Sequence, residues 1–215
     1  MSLSYDCADP DQRVDGLSAA ADAIRRGELI VLPTDTVYGV GADAFSPPAV
    51  HLLLAVKGRG RDMPVPVLVG SWDGLDGLVI VPPRAARDLV EAFWPGALTL
   101  VVEHAPSLAW DLGDSRGTVA VRMPLHPVAL ELLAATGPLA VSSANRSGQP
   151  PATDVEQARE QLGYEIAVYL DGGPSGEPVP STIVDVTREV PRVLRLGAVE
   201  LDRLREVVPN VEPPD

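Results

Sequence analysis

The chain has a single cysteine, Cys7, among its 215 residues. That scarcity excludes an internal disulfide framework and a cysteine-rich zinc site. The three histidines, His51, His104 and His126, are scattered and show no ligand spacing. No apolar run approaches the roughly 18–20 residues that span a bilayer. The N-terminus lacks a basic flank followed by an apolar stretch, so the expectation is a cytoplasmic chain with no membrane association. Cations are also scarce: 17 lysines and arginines face 30 acidic residues, a net charge of −13. Such a surface repels duplex nucleic acid and anionic lipid at long range, so no strong autonomous nucleic-acid binding is expected, yet a small basic pocket is compatible with it. Lysine is scarcest of all. Lys57 stands alone beside 16 arginines. The arginine preference reads as coding bias, which leaves Lys57 as a position where a compact point charge serves and a planar fork does not.

What is present describes an ordinary globular protein: 46% hydrophobic and 22% charged residues. Glycine and proline together make up 41 of the 215 residues, which predicts many punctuated loops. Residues 1–14 read as an irregular lead-in. Asp15 then caps a helix that Gly27 ends. Strands are predicted at 28–33, 65–69, 98–102, 118–123, 139–142, 166–170, 182–186 and 192–196. Helices are predicted at 47–56, 82–92, 126–137 and 153–162, with a last helical stretch and a frayed tail over 201–215. Thr153 and Glu156 have capping-box spacing. The interleaving of strands and helices predicts a single α/β domain, a mixed sheet flanked by helices, over residues 15–200.

Four polar stretches interrupt the pattern, three of them directly after strands, where open α/β sheets form sites. The first, residues 33–41, holds threonines, Asp35, Tyr38 and two glycines. It suits a small polar ligand, or else a tight self-bonded turn. The second, Lys57-Gly58-Arg59-Gly60-Arg61, packs three cations into five residues of an acidic chain. It suits a polyphosphate but lacks the Gly-Lys-Ser/Thr ending of a Walker loop; the alternative is a solvated turn. The third, Ser142-Ser143-Ala144-Asn145-Arg146-Ser147-Gly148, offers an anion nest. A serine nucleophile would need a base, and no histidine lies in these loops. The fourth, residues 171–182, has the length and glycines of a loop that closes on a ligand, or of a surface excursion. Arg122, at the end of an apolar strand, needs a partner if buried: a ligand phosphate or a carboxylate. These residues point to a nucleotide or other phosphorylated-ligand pocket and leave the reaction open.

Read together, Pro33-Thr34-Asp35-Thr36-Val37-Tyr38-Gly39, Lys57-Gly58-Arg59 with Pro64, Phe93-Trp94-Pro95-Gly96-Ala97-Leu98-Thr99-Leu100, Val121-Arg122-Met123-Pro124, Ser143-Ala144-Asn145-Arg146-Ser147-Gly148, Ser181-Thr182-Ile183-Val184-Asp185 and Leu194-Arg195 resemble the YrdC/Sua5 family, in order and spacing, over residues 15–200. The resemblance is to the short form without an extra C-terminal domain. It implies a YrdC-like twisted mixed sheet with a central concave cavity. The implied activity is L-threonylcarbamoyladenylate synthesis from L-threonine, bicarbonate and ATP, with Mg²⁺ on the nucleotide and release of pyrophosphate. The implied product feeds a tRNA threonylcarbamoyl transferase machinery for t6A37 modification.

Residue by residue, the resemblance assigns Lys57 and Arg59 to charge stabilisation during catalysis. Thr34, Tyr38 and Arg122 fall on the threonine side. Ser143, Asn145, Ser181 and Arg195 fall on the nucleotide and its phosphates. No metal ligand is assigned to a protein side chain. The sequence departs from the family where many members carry a threonine-contacting histidine shortly after Pro-Leu; here Pro64-Val65-Pro66-Val67-Leu68-Val69 has none. The alternatives are a nucleotide- or RNA-binding module and a paralogue without synthase activity.

Overall fold

Along residues 29–32 the side chains alternate between two cores. Leu29 and Val31 face one, Ile30 and Leu32 the other, and all four are buried. That period of two, with both faces apolar, is the pattern of a strand inside a sheet covered on both sides. The computed structural model describes residues 2–79, 81–176 and 179–215. Its sheet is formed by β1 (Leu3–Asp6), β2 (Ile30–Leu32), β3 (Gly39–Asp43), β4 (Val67–Leu68), β5 (Leu98–Glu103), β6 (Thr118–Arg122), β7 (Leu139–Ser143), β8 (Val168–Asp171), β9 (Thr182–Asp185) and β10 (Arg192–Arg195). The spatial order is β1-β8-β2-β3-β7-β4-β6-β5-β9-β10. Parallel pairs (β1 with β8, β2 with β8, β4 with β6, β5 with β9) mix with antiparallel ones, as expected for a mixed sheet.

Helices α1 (Pro10–Arg25) and α5 (Pro127–Thr136) cover one face. The other is covered by α2 (Pro47–Lys57), α3 (Trp72–Leu78), α4 (Arg84–Phe93), α6 (Val155–Leu162) and α7 (Leu201–Val207). Among the described residues no helix is long and apolar enough to cross a membrane.

Several elements differ from the sequence reading. Of the expected irregular lead-in, residues 1–14, the described part is ordered: β1 pairs with β8, and α1 begins at Pro10, where the Asp9 carboxylate accepts from the amides of Asp11 and Gln12. Asp9 with proline next to it is an N-cap signal as good as Asp15, and it lies six residues earlier. The tail is not frayed, since Val211 is buried and Glu212 pairs with the backbone of Arg192 and Val193. The cap of α6 is Asp154, which accepts from Gln157 N, while Gln157 reaches back to Thr153 N; the capping box sits one residue later than Thr153–Glu156. Helix α3 occupies a stretch for which the sequence predicts no helix or strand. Glu177 and Pro178 of the fourth polar stretch lie outside the described residues.

The strand absent from the sequence reading, β3, matters most for position. Its sequence Gly-Val-Gly-Ala-Asp carries little β signal. It is nevertheless central, antiparallel to both β2 and β7. It turns the first polar stretch back over the sheet, against the Ser143 loop: Ala144 N donates to Tyr38 O.

Candidate active site

A cavity of about 320 Å³ opens where these loops meet. The turn between β2 and β3 supplies Thr34 and Thr36 to its wall, and the C-terminal side of α2 supplies Arg59. Strands β5, β6, β7 and β10 supply Thr99, Arg122, Ser142 with Ser143, and Arg195. Ser181 enters from just before β9. Three arginines thus face one cavity, and among the described residues no carboxylate lines it. In a chain of net charge −13, that is a local reversal of sign.

Arg59 arrives there through a helix stop. Gly58 adopts φ 62°, the left-handed conformation that glycine enters without a Cβ clash, and Arg59 N closes back onto Leu54 O. The Arg59 guanidinium then donates to Ser142 Oγ and Ser147 Oγ, both at 3.3 Å. Farther along the loop, Arg61 forks onto Asp111 at 2.7 and 2.8 Å, fixing the loop from outside.

Lys57 has a different place. It is 1% exposed, the last residue of α2, and it does not line the cavity. Its ammonium donates to Ser143 O at 2.5 Å, to Asn145 Oδ1 at 2.8 Å and to Asn145 O. A longer contact reaches Ser143 Oγ at 3.4 Å, and all four acceptors are neutral. Burial, followed by repulsion from Arg59, pushes its pKa down to about 7. Asn145 is also fully engaged: Oδ1 accepts from Lys57 and from Ser143 Oγ, and Nδ2 donates to Arg146 O and Gln149 O. Lys57 and Asn145 therefore fix the loop from behind, and Ser143 is the member of the trio that faces the cavity.

Arg122 is buried and has found a carboxylate. Its Nη2 lies 2.6 Å from Asp35 Oδ1, Nη1 donates to Thr36 Oγ1 at 2.9 Å, and Nε donates to Gly96 O at 2.9 Å. Burial lowers its pKa and Asp35 opposes that shift. Arg195 donates to Ser181 O at 2.8 Å and to Ser181 Oγ at 3.2 Å, and Ser181 Oγ shares a 2.8 Å hydrogen bond with Thr99 Oγ1.

Of the residues expected from sequence, Thr34, Arg59, Arg122, Ser143, Ser181 and Arg195 meet at the cavity. Tyr38 does not: its hydroxyl donates to Gly173 O at 2.6 Å and accepts from Gly172 N, and its ring lines a second, smaller cavity. Thr36, Thr99, Ser142 and the Asp35 partner of Arg122 were not singled out by sequence. Each lies inside or beside a stretch that was.

Comparisons with known proteins bear on the family and the fold. The protein-family profile for Sua5, yciO and yrdC, described as "Telomere recombination", matches residues 22–197. A Mycobacterium tuberculosis protein named "Putative threonylcarbamoyl-AMP synthase" is 62% identical over 97% of this chain and 96% of its own length. The Bacillus subtilis "Threonylcarbamoyl-AMP synthase" is 38% identical over 89% of this chain and 56% of its own. Among solved structures, P. abyssi Sua5 complexed with L-threonine superposes with a TM-score of 0.91 at 33% identity, covering 99% of this chain and 62% of that one.

Proposed function

Because this chain belongs to the Sua5/YciO/YrdC family, we propose that it is a threonylcarbamoyl-AMP synthase. It joins L-threonine, bicarbonate and ATP and releases pyrophosphate. The observation that carries the reading is the convergence of Arg59, Arg122 and Arg195 on a cavity with no carboxylate among the described residues of its wall. In the reaction, the threonine amine takes up the carbon of bicarbonate, losing water, to give a carbamate. A carbamate oxygen then attacks the α-phosphorus, and the bond to the β-phosphate oxygen breaks. Two anions must approach each other, so fixed positive charge in a partly water-excluded site lowers the barrier directly.

Arg122, held by Asp35, presents its charge at the threonine side beside Thr34 and Thr36. Arg59 and Arg195 flank the phosphates, with Ser143 and Ser181 as hydroxyl partners. Lys57 and Asn145 act through the Ser143 loop that they shape. Tyr38 supports the β2–β3 turn from behind, without touching substrate. Among the described residues no lining side chain is a histidine, carboxylate or lysine, and no covalent enzyme intermediate and no side-chain base is assigned.

Among the described residues no cluster of acidic, histidine or cysteine side chains could hold a metal ion. The donor set suits Mg²⁺ carried in on the triphosphate, where it would neutralise phosphate charge. Threonine selectivity, without the family's histidine, rests on Thr34 and the Leu68 and Val141 wall. The product passes in the cytoplasm to a tRNA-modifying transferase for t6A formation.

Pyrophosphate release with ATP, leaving out threonine or bicarbonate in turn, tests the assignment. A synthase loses the signal in both omissions. A nucleotide- or RNA-binding module gives no release in any mixture, and that result overturns the proposal.

A further inference from the structure

The second cavity, about 180 Å³, adjoins the first, and Thr34 lines both. Its far wall is a glycine turn after β8. A Cβ on Gly172 would sit 2.7 Å from Pro33 Cγ and 3.1 Å from His126 Cε1, so a side chain there would force the walls apart. Gly173, with φ 79°, turns the chain around the Tyr38 hydroxyl. At about 30 Å³ for each water, the space accepts a molecule of several heavy atoms.

The two cavities differ in sign. Among the described residues, the first is lined by three arginines and no carboxylate; the second is lined by no lysine or arginine and by one carboxylate, Asp35. Asp35 Oδ1 accepts from Arg122 Nη2 and Leu125 N, while Oδ2 accepts from none of the described residues. His126 also lines the wall, and its Nδ1 is buried with no partner among the described residues. Burial keeps the ring from charging, Arg13 adds to that, and Asp35 opposes it. Arg13 is itself paired with Glu131 at 2.6 Å. Behind the wall, Asp171 contributes further negative charge beside Tyr38.

We propose that this second cavity binds a small primary-ammonium compound, its ammonium donating to Asp35 Oδ2. A carboxylate that already serves one cation at Oδ1 offers its other oxygen to a second, through a charge-assisted hydrogen bond in a half-enclosed space. Because Asp35 also pins Arg122, occupancy is felt in the first cavity through the shared carboxylate.

The test is a titration of isotope-labelled protein with ethanolammonium chloride, choline chloride, potassium chloride and sodium acetate at matched ionic strength. It follows the amide signals of Gly172 and Gly173, the His126 ring and the Arg122 Nε signal. Only ethanolammonium is expected to give saturable shifts at all four positions. Its affinity is expected to fall about tenfold in Asp35→Asn, the loss of a charged acceptor. Choline keeps the hydroxyl but its quaternary nitrogen has no N–H to donate, potassium has no directional donor and acetate has the wrong sign. An equal response to any of them, or no saturable response to ethanolammonium, overturns the proposal. That comparison is made on the unsubstituted protein and stands even if Asp35→Asn does not fold.

Discussion

The ammonium of Lys57 and the side-chain amide oxygen of Asn145 meet at 2.8 Å across 88 residues of sequence, inside the protein. This contact joins the end of α2 to the loop after β7. Removing the ammonium strands Asn145 O and takes one hydrogen bond each from Ser143 O and Asn145 Oδ1, which keep Asn145 N and Ser143 Oγ as donors. A buried acceptor left unmade costs about 1–3 kcal/mol. Lys57→Met is therefore expected to lower stability by about 3 kcal/mol and to cut pyrophosphate release more than tenfold, because Ser143 loses its fixed position. Arginine, with a wider head group, is expected not to restore the rate. Urea melts read beside the release assay check this; a Met variant with unchanged midpoint and rate contradicts it.

Lys57 is the only lysine, so labelling lysine Cε yields one signal for one site. That signal is expected to titrate far below the usual 10.5, near 7, with burial as the main cause. Filling the cavity with pyrophosphate should raise the value, since an anion favours the charged form. The sign for stability follows from proton counting. Between about 7 and 10.5 the unfolded chain holds the proton and the folded chain has lost it. Stability from this group therefore rises with pH through that window, and below it the cost of burying the charge is felt in full. A lysine titrating at its ordinary value with no such rise would contradict the buried geometry.

The sequence made most of the sheet legible because strands such as β5, β6 and β9 are short apolar runs between turn residues. It hid β3 because glycine at positions 39 and 41 replaces the β-branched residues that mark a strand. There, packing of neighbouring side chains from β2 and β7 decides the conformation, and propensity does not. The site residues were legible as residue types but not as roles. Lys57 and Arg59 look alike as neighbouring cations in a loop. Only the helix phase and the Gly58 turn send one inward and the other to the cavity. Arg122 was recognisable as a buried cation in need of a partner, while the choice of Asp35 depends on a contact 87 residues away.

The Asp35–Arg122 pair is nearly enclosed, with side-chain exposures of 15% and 8%. Breaking one half of a buried pair leaves the other uncompensated, at a cost of about 3–5 kcal/mol. Asp35→Asn keeps the shape and one acceptor, so it is expected near the lower end. Arg122→Met with Asp35→Asn should be less destabilised than the sum of the two single changes. The four proteins of this cycle, compared by chemical denaturation, give the coupling. Additive losses would show that the pair does not act as a unit.

Arg59 is half-exposed and bonded only to serine hydroxyls at 3.3 Å. Its removal should leave stability within about 1 kcal/mol, as for surface changes generally. Its effect on turnover should be larger, about a hundredfold, the scale of losing one stabiliser of developing charge. Equal, small effects on both would remove Arg59 from the catalytic step.

Gly39 and Gly41 lie two residues apart on β3, point to the same face and meet different neighbours. A Cβ on Gly39 would lie 2.6 Å from Val141 Cγ1, whereas one on Gly41 finds its nearest atoms at 3.4–3.7 Å, ordinary contact. Valine is stiff at χ1, so Val141 cannot swing aside cheaply, and it lines the cavity together with Gly39. Gly39→Ala should cost about 1–3 kcal/mol, the range for overpacking. It should also raise the KM for threonine, as Val141 is forced into the space that the substrate needs. Gly41→Ala should be nearly silent in both measurements. Strand entropy alone treats the two glycines alike, so a difference between these variants isolates the steric contact. Equal behaviour would mean that the close approach of β3 and β7 does not shape the cavity.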